Sequence, residues 1–167
     1  MSVAKQFSLL DIFPATAQLR DGHLFMGGCD TVALAAEFGT PLYVFDEAAL
    51  RRRCAEFKTE FGRRYPQTTV IYACKAFIDR AVVRLLHEEG LGLDVVSGGE
   101  IAIAQAAGFP LEQVYFHGNN KSAEELRQAL KGGVGRVVVD NFYEIALLER
   151  LAAEAASLKT NSITQES

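Results

Sequence analysis

The stretch Val70-Ile-Tyr-Ala-Cys-Lys-Ala-Phe77 decides the fold, because it sets a lysine inside a run of β-favouring apolar residues. Polar Gln67-Thr68-Thr69 precedes it and Asp79-Arg80 follows it, so the run reads as a buried strand. A buried ammonium without a partner is costly and tends to lose its proton, and a neutral amine in an apolar slot is a nucleophile. The competing reading is an edge-strand lysine whose stem packs while its head reaches water. Along a strand Ile71, Ala73, Lys75 and Phe77 share one side, while Tyr72, Cys74 and Ala76 share the other. Small Ala73 leaves room beside Lys75 for a ligand.

Downstream the pattern repeats as strand, then helix. Residues 80–90 place Val82, Leu85 and Leu86 on one helical face before Gly90. A strand over 91–96 is followed by Ser97 and Glu100 in capping-box spacing, for a helix to Gly108. Val114-Tyr-Phe-His117 is a third strand, with Ser122 and Glu125 as the next cap and Gly132 as a stop. Arg136-Val-Val-Val-Asp140 is a fourth, ahead of a helix from about Asn141 to Ala156. Short Val-rich strands between regular helices imply parallel βαβ crossovers. Lys75, Asp94, Ser97, His117, Asn119 and Asp140 all fall at or just past strand carboxyl ends, the end where barrel enzymes build their sites. An open dinucleotide-binding sheet would need G-x-G-x-x-G after its first strand, where Ala76-Phe-Ile-Asp79 stands instead. The expected class is α/β: a partial (β/α)8 barrel of TIM type, about the first four βα units, with an amino-terminal lead-in.

Upstream, Thr40-Pro-Leu-Tyr-Val-Phe-Asp46 reads as a strand, and Leu50, Cys54, Phe57 and Phe61 recur at helical spacing as a packing face. Residues 20–39 read as a short strand, a glycine turn and a helical segment. Beyond Ala156 apolar periodicity is lost, so residues 157–167 are expected to be disordered. The domain expectation is a lead-in over 1–39, half of a barrel over 40–156, and the tail.

The 167 residues are 49% hydrophobic, so a core can be filled, and a net charge of -4 offers no basic footprint for nucleic acid. No apolar run approaches the roughly 20 residues of a membrane span, and the first 23 residues show no secretion signal. A cytoplasmic protein is expected. Cys29, Cys54 and Cys74 lack metal or disulfide spacing and read as small core hydrophobes, and no metal is expected.

YACKAF, GLDVVSGGE, HGNNKS and VVVDNFYEI, preceded by TPLYVFD, together resemble the pyridoxal-phosphate-dependent diaminopimelate decarboxylases. These share a barrel fold type with ornithine decarboxylase and alanine racemase, and the resemblance runs from residue 21 to 156. It implies that Lys75 holds pyridoxal 5'-phosphate as a Schiff base. It also implies that Asp94, Glu100, His117 and Asn119 border the cofactor. The implied reaction removes the carboxylate at the D centre of meso-2,6-diaminopimelate to give L-lysine. The lead-in strand would join a carboxy-terminal β-domain, and the family works as a homodimer on a small amino acid. Two alternatives stand beside this: a catalytically incompetent fragment that only associates with other chains, and a pyridoxal-phosphate carrier of the same barrel type.

The residues themselves allow other roles. Ser97 and Glu100 are explained by helix capping alone. Asp94, between Leu93 and Val95, needs a nearby cation, for which Lys75 on the adjacent strand is the candidate. His117 could simply hold the turn at Gly118-Asn119-Asn120, and His23 and His87 read as surface residues.

Overall fold

The structure, a computed structural model, describes residues 9–163, so expectations for residues 1–8 and 164–167 lie outside the described residues. The chain divides into two compact units after Pro66, beyond the expected lead-in boundary at residue 39.

The first unit holds a small antiparallel meander of β1 (Gln18–Arg20), β2 (His23–Met26) and β3 (Cys29–Asp30). Its turns are dictated by sequence. Asp21-Gly22 and Gly27-Gly28 all take positive φ, and each pair joins strands whose flanking residues face each other, Arg20 with His23 and Met26 with Cys29. A two-residue turn with both central residues at positive φ matches the twist of a hairpin, which is why Asp-Gly and Gly-Gly occur there. Helix α1 (Thr31–Phe38) starts on Asp30, whose carboxylate accepts the Val32 N–H at 2.9 Å. Helix α2 (Glu47–Gly62) starts on Asp46, which accepts the Ala49 N–H at 2.9 Å.

Three expectations fail in this unit, the last of them in part. Residues 40–46 have strand-forming side chains but join no ladder, and Leu42, Tyr43 and Phe45 are exposed. Propensity for the strand conformation is expressed only where a partner supplies hydrogen bonds. Cys29, read as a core residue, is exposed at a hairpin turn, whereas Cys54 is buried. On α2 only Cys54 of the expected apolar face is buried; Phe57 and Phe61 stack on each other at 6.3 Å and remain exposed.

The second unit is the βα repeat. It runs β4 (Ile71–Ala73), α3 (Arg80–Glu88), β5 (Gly92–Val95), α4 (Gly98–Ala106), β6 (Val114–Phe116), α5 (Ala123–Gly132), β7 (Arg136–Val137) and α6 (Phe142–Ile163). All three strand pairings are parallel, in the order β4-β5-β6-β7. Each helix is started by a side chain that accepts a backbone N–H: Asp79 from Val82, Ser97 from Glu100, Ser122 from Glu125 and Asn141 from Glu144. Such caps satisfy donors the helix cannot, and losing one typically costs about 1 kcal/mol. Among the described residues no helix is long and apolar enough to cross a membrane.

Register gives the sheet two different faces. Ala73, Asp94, Tyr115 and Arg136 form one cross-strand row, so they point the same way. On the other face Leu93, Val95, Val114 and Phe116 are fully buried. Right-handed crossovers place the helices on that dry face, and Val83, Leu86, Ile101, Leu126, Ala129 and Leu151 supply the facing apolar side chains. The face carrying Asp94 and Tyr115 is only half-buried.

Helix α6 corrects the expected tail. It does not stop near Ala156 but continues to Ile163, through residues expected to be disordered. Extending an existing helix fixes one residue per hydrogen bond gained, and no glycine or proline interrupts 157–163, so loss of periodicity alone does not end it.

Candidate active site

The carboxyl end of the parallel sheet collects the polar residues. Strand β4 is shorter than VIYACKAF: it ends at Ala73, and Cys74–Ala76 form a 3-10 turn. Lys75 therefore sits on a turn at the strand end and is exposed, which corrects the reading of a lysine buried within a strand. The turn is closed by the Tyr72 hydroxyl, which donates to the Phe77 carbonyl at 3.0 Å. Cys74 points into the packed interior as its side of the strand requires, at 1% exposure. Burial, with the charges of Glu100 and Asp94 adding to it, pushes its thiol up to about 12, so it stays protonated and inert at neutral pH.

Asp94 lies beside Ala73 in the β4–β5 register, and its carboxylate bonds to Nδ1 of His117 just past β6. The partner expected for Asp94 was Lys75; the structure supplies the imidazole of the following βα unit instead. Parallel register explains this. Asp94 is level with Tyr115, so His117 lies two residues further toward the same face and reaches down to the carboxylate. With Nδ1 facing a carboxylate, the neutral ring carries its proton there and leaves Nε2 as an acceptor.

Glu100 is used as capping spacing suggests. Its Oε2 accepts the Val96 N–H at 2.7 Å while its own N–H goes to Ser97 Oγ at 3.3 Å. Asn119 is exposed in the loop after His117. The structure thus brings Asp94 and His117 into contact, sets Lys75 on the neighbouring strand end, and places Glu100 in the helix start. Among the described residues no group of His, Cys, Asp or Glu is arranged to hold a metal ion.

Sequence reasoning placed Glu125 in the Ser122 capping box, which the structure forms, but missed that the same carboxylate and Gln128 also hold the preceding loop. Glu125 on α5 accepts the Gly98 N–H at 2.9 Å through Oε1 and the Ser122 N–H at 3.0 Å through Oε2. Gln128, one turn on, donates to the Gly98 carbonyl at 3.0 Å. Two side chains of α5 therefore grip one residue, Gly98, through its N–H and its carbonyl at the start of α4. A Cβ on Gly98 would lie 2.6 Å from Gln128 Oε1, so the grip requires glycine there. The Gly98 N–H and then the Ser122 N–H hold the Glu125 carboxyl below its ordinary 4.5, against partial burial. Because the folded value is depressed, the stabilisation is present above pH 4.5 and is lost as pH falls through the lower folded value. Glu125→Ala is expected to destabilise the protein by about 2 kcal/mol at neutral pH. Urea unfolding should show the gap from wild type closing in acid, and a gap independent of pH would contradict this account.

The second tie is a buried lysine, Lys121, at the end of HGNNK. Its side chain is 1% exposed, and Nζ donates to the carbonyls of Gly118 at 2.6 Å and Val138 at 2.8 Å. Nζ also lies 2.8 Å from Oε1 of Glu144 on α6, an oxygen that has no hydrogen bond of suitable angle and is held by charge. The ammonium stands 5.7 Å from the Phe116 ring centroid. Neither Lys121 nor Glu144 carries a periodic signal, and they are separated by two elements, so nothing in their own neighbourhood announces the pair.

At the opposite end, where the strands begin, a cavity of about 330 Å³ is lined by Gly92, Gln113, Tyr115 and Arg136. Arg136 there packs over the ring of Tyr115, the register partner of Asp94, at 4.9 Å.

Comparison with known proteins shows the family to which these βα units belong. The model of the pyridoxal-dependent decarboxylase family's pyridoxal binding domain matches residues 47–164. A diaminopimelate decarboxylase of Bacillus subtilis (strain 168) is 56% identical over 137 residues, covering 82% of this chain and 31% of that protein. The crystal structure of the M. jannaschii diaminopimelate decarboxylase with L-lysine superposes with a TM-score of 0.77 at 34% identity, covering 86% of this chain and 34% of that one. A lysine/ornithine decarboxylase of Vibrio vulnificus complexed with putrescine gives a TM-score of 0.65 at 28% identity, over 72% of this chain and 32% of that one. The chain spans about a third of the length of these relatives. Its parallel βα units are part of a (β/α) barrel, and the chain belongs to the pyridoxal-dependent decarboxylase family, matching its pyridoxal binding domain.

Proposed function

We propose that this chain is the part of a cytoplasmic diaminopimelate decarboxylase that presents Lys75 to pyridoxal 5'-phosphate, within a longer homodimeric enzyme that makes L-lysine from meso-2,6-diaminopimelate. The observation that carries the reading is the exposed amine of Lys75 on the turn after β4, one strand from the Asp94–His117 contact. Relatives named as diaminopimelate decarboxylases favour that chemistry over a pyridoxal-phosphate carrier.

The donor set fits the cofactor. An accessible primary amine is what an aldehyde requires, and Lys75 is exposed on its turn at the strand end. When bound, pyridoxal phosphate supplies the aldehyde and a ring that accepts the electron pair left by a departing carboxylate. Lys75 would hold the group through its exposed amine. Asp94 fixes the His117 ring and its tautomer, so that Nε2 presents a lone pair toward the half-buried face. Glu100 keeps the β5–α4 loop in place through Val96, and Asn119 offers an exposed amide in the next loop.

Borohydride reduction in the presence of pyridoxal phosphate, followed by peptide mapping, tests the assignment. The reduced adduct is expected on Lys75. Lys121 is enclosed and should stay unmodified, and exposed Lys131 measures non-specific labelling. Equal labelling of Lys75 and Lys131, or an adduct on Lys121, would remove Lys75 from its role.

A further inference from the structure

We infer that Lys121 and Glu144 are positioning residues for His117: the buried ammonium holds the loop in which His117 keeps its ring on Asp94. The argument begins with where Lys121 reaches. It donates to the carbonyl of Gly118, the residue immediately after His117, and stands over the ring of Phe116, the residue immediately before it. Both neighbours of His117 are thus touched by one side chain. The far side of that cation is fixed to the next unit, by the Val138 carbonyl past β7 and the Glu144 carboxylate in the first turn of α6.

The start of the loop is fixed by the His117 N–H, which donates to the Val95 carbonyl at 2.8 Å, and its end by the Ser122 cap, so Lys121 acts on the stretch between them. Gly118 has φ of +116, a conformation that side-chain-bearing residues rarely adopt, and a Cβ there would stand 3.2 Å from the Val96 carbonyl. The chain accordingly turns sharply after His117, close against the β5 end. Asn119 and Asn120 are exposed. Between those ends a stretch of glycine and exposed asparagines gains little rigidity from packing, so the contacts of Lys121 set its course. The His117 ring is itself partly exposed, with 40% of its side chain accessible, so burial does not hold it against Asp94 either.

The pattern is shared by the preceding loop, which strengthens the case. There Glu125 and Gln128 of α5 hold Gly98 of the loop before α4. In both places the next helix of the repeat fixes the site-face loop of the unit before it. Lys121 differs in that a buried charge performs the task, and Glu144 balances it.

The inference rests on reading Asp94 and His117 as active-site residues, but its test requires no cofactor. The chain has three histidines. Nitrogen-15 ring shifts of neutral histidine report which nitrogen carries the proton, in solution spectra or, for an associated sample, in solid-state spectra. His23 has Nδ1 2.8 Å from Asp30 Oδ2 and serves as an internal reference for a carboxylate-bound ring. Wild type should show His117 with the Nδ1–H pattern. In the double variant Lys121→Met with Glu144→Leu, which leaves no unpaired buried charge, His117 should shift to the Nε2–H form preferred by free imidazole while His23 is unchanged. Glu144→Gln, which retains an acceptor for Lys121, should leave His117 as in wild type. A folded double variant whose His117 keeps the Nδ1–H pattern would overturn the inference. Loss of the fold in both variants would assign the pair to stability alone and overturn it as well. Failure of the borohydride assignment at Lys75 would leave this readout untouched, so the two claims can fail separately.

Discussion

Lys121→Met alone is expected to unfold the second unit or bring it close to unfolding. The substitution removes the cation that lies 2.8 Å from a carboxylate whose side chain is 4% exposed, and leaves the carbonyls of Gly118 and Val138 without their donor. Removing one partner of a buried pair typically costs about 3–5 kcal/mol, because the remaining charge stays desolvated. A domain's whole stability is about 5–15 kcal/mol. Urea unfolding followed by far-ultraviolet dichroism measures the effect, with exposed Lys131→Met as the control, expected to change stability by less than about 0.5 kcal/mol. Adding Glu144→Leu should recover much of the deficit, since the two effects share one interaction and cannot add. A single variant as stable as the control would mean that water reaches Glu144 and that the pair is not a dry one.

The contrast between Lys75 and Lys121 shows what was legible in the sequence. Local signals were read reliably. The helix starts at Ser97, Ser122 and Asn141 follow from side chains that compete for the first free N–H groups. The four parallel strands of the repeat follow from short Val-rich runs spaced by helices. The strand ends were less legible. The turn that carries Lys75 begins directly where β4 ends, with Cys74 alone between Ala73 and Lys75, and a run such as YACKAF favours extension equally on both sides of that point. Register then decided Asp94's partner. Whether its carboxylate meets Lys75 or His117 depends on how far each chain continues past its last ladder bond, which no single strand's composition states. Lys121 and Glu144 were beyond local reasoning altogether, because the reason for burying either is the other. Residues 40–46 show the reverse case, in which side chains suited to a strand are present but a pairing neighbour is not.

Gly135→Ala is expected to be comparably damaging, for a reason that has nothing to do with backbone flexibility. A Cβ built on Gly135 would stand 1.9 Å from the carbonyl oxygen of Glu112 and 2.7 Å from its carbon. Both are backbone atoms, so no side-chain rotation relieves the overlap. The contact is tight because the Gly135 N–H donates to the Leu111 carbonyl at 2.9 Å, drawing the entry to β7 against the 3-10 turn before β6. Relief requires moving that entry outward, and β7 has only two residues in its ladder with β6 to resist the movement. Val138, whose N–H reaches the Phe116 carbonyl at 2.9 Å and whose carbonyl receives Lys121, would move with it. Overpacking of this kind costs about 3 kcal/mol where the backbone must shift. Gly133→Ala is the informative comparison. There φ is +77 with nothing within 4 Å, so the cost is conformational alone, about 1–2 kcal/mol. Urea unfolding of the two variants should rank Gly135→Ala as the more damaging, and nitrogen-15 spectra should show His117 disturbed in that variant and not in Gly133→Ala. An equal or reversed ranking would mean that the β6–β7 contact yields without cost and that the Lys121 tie does not depend on it.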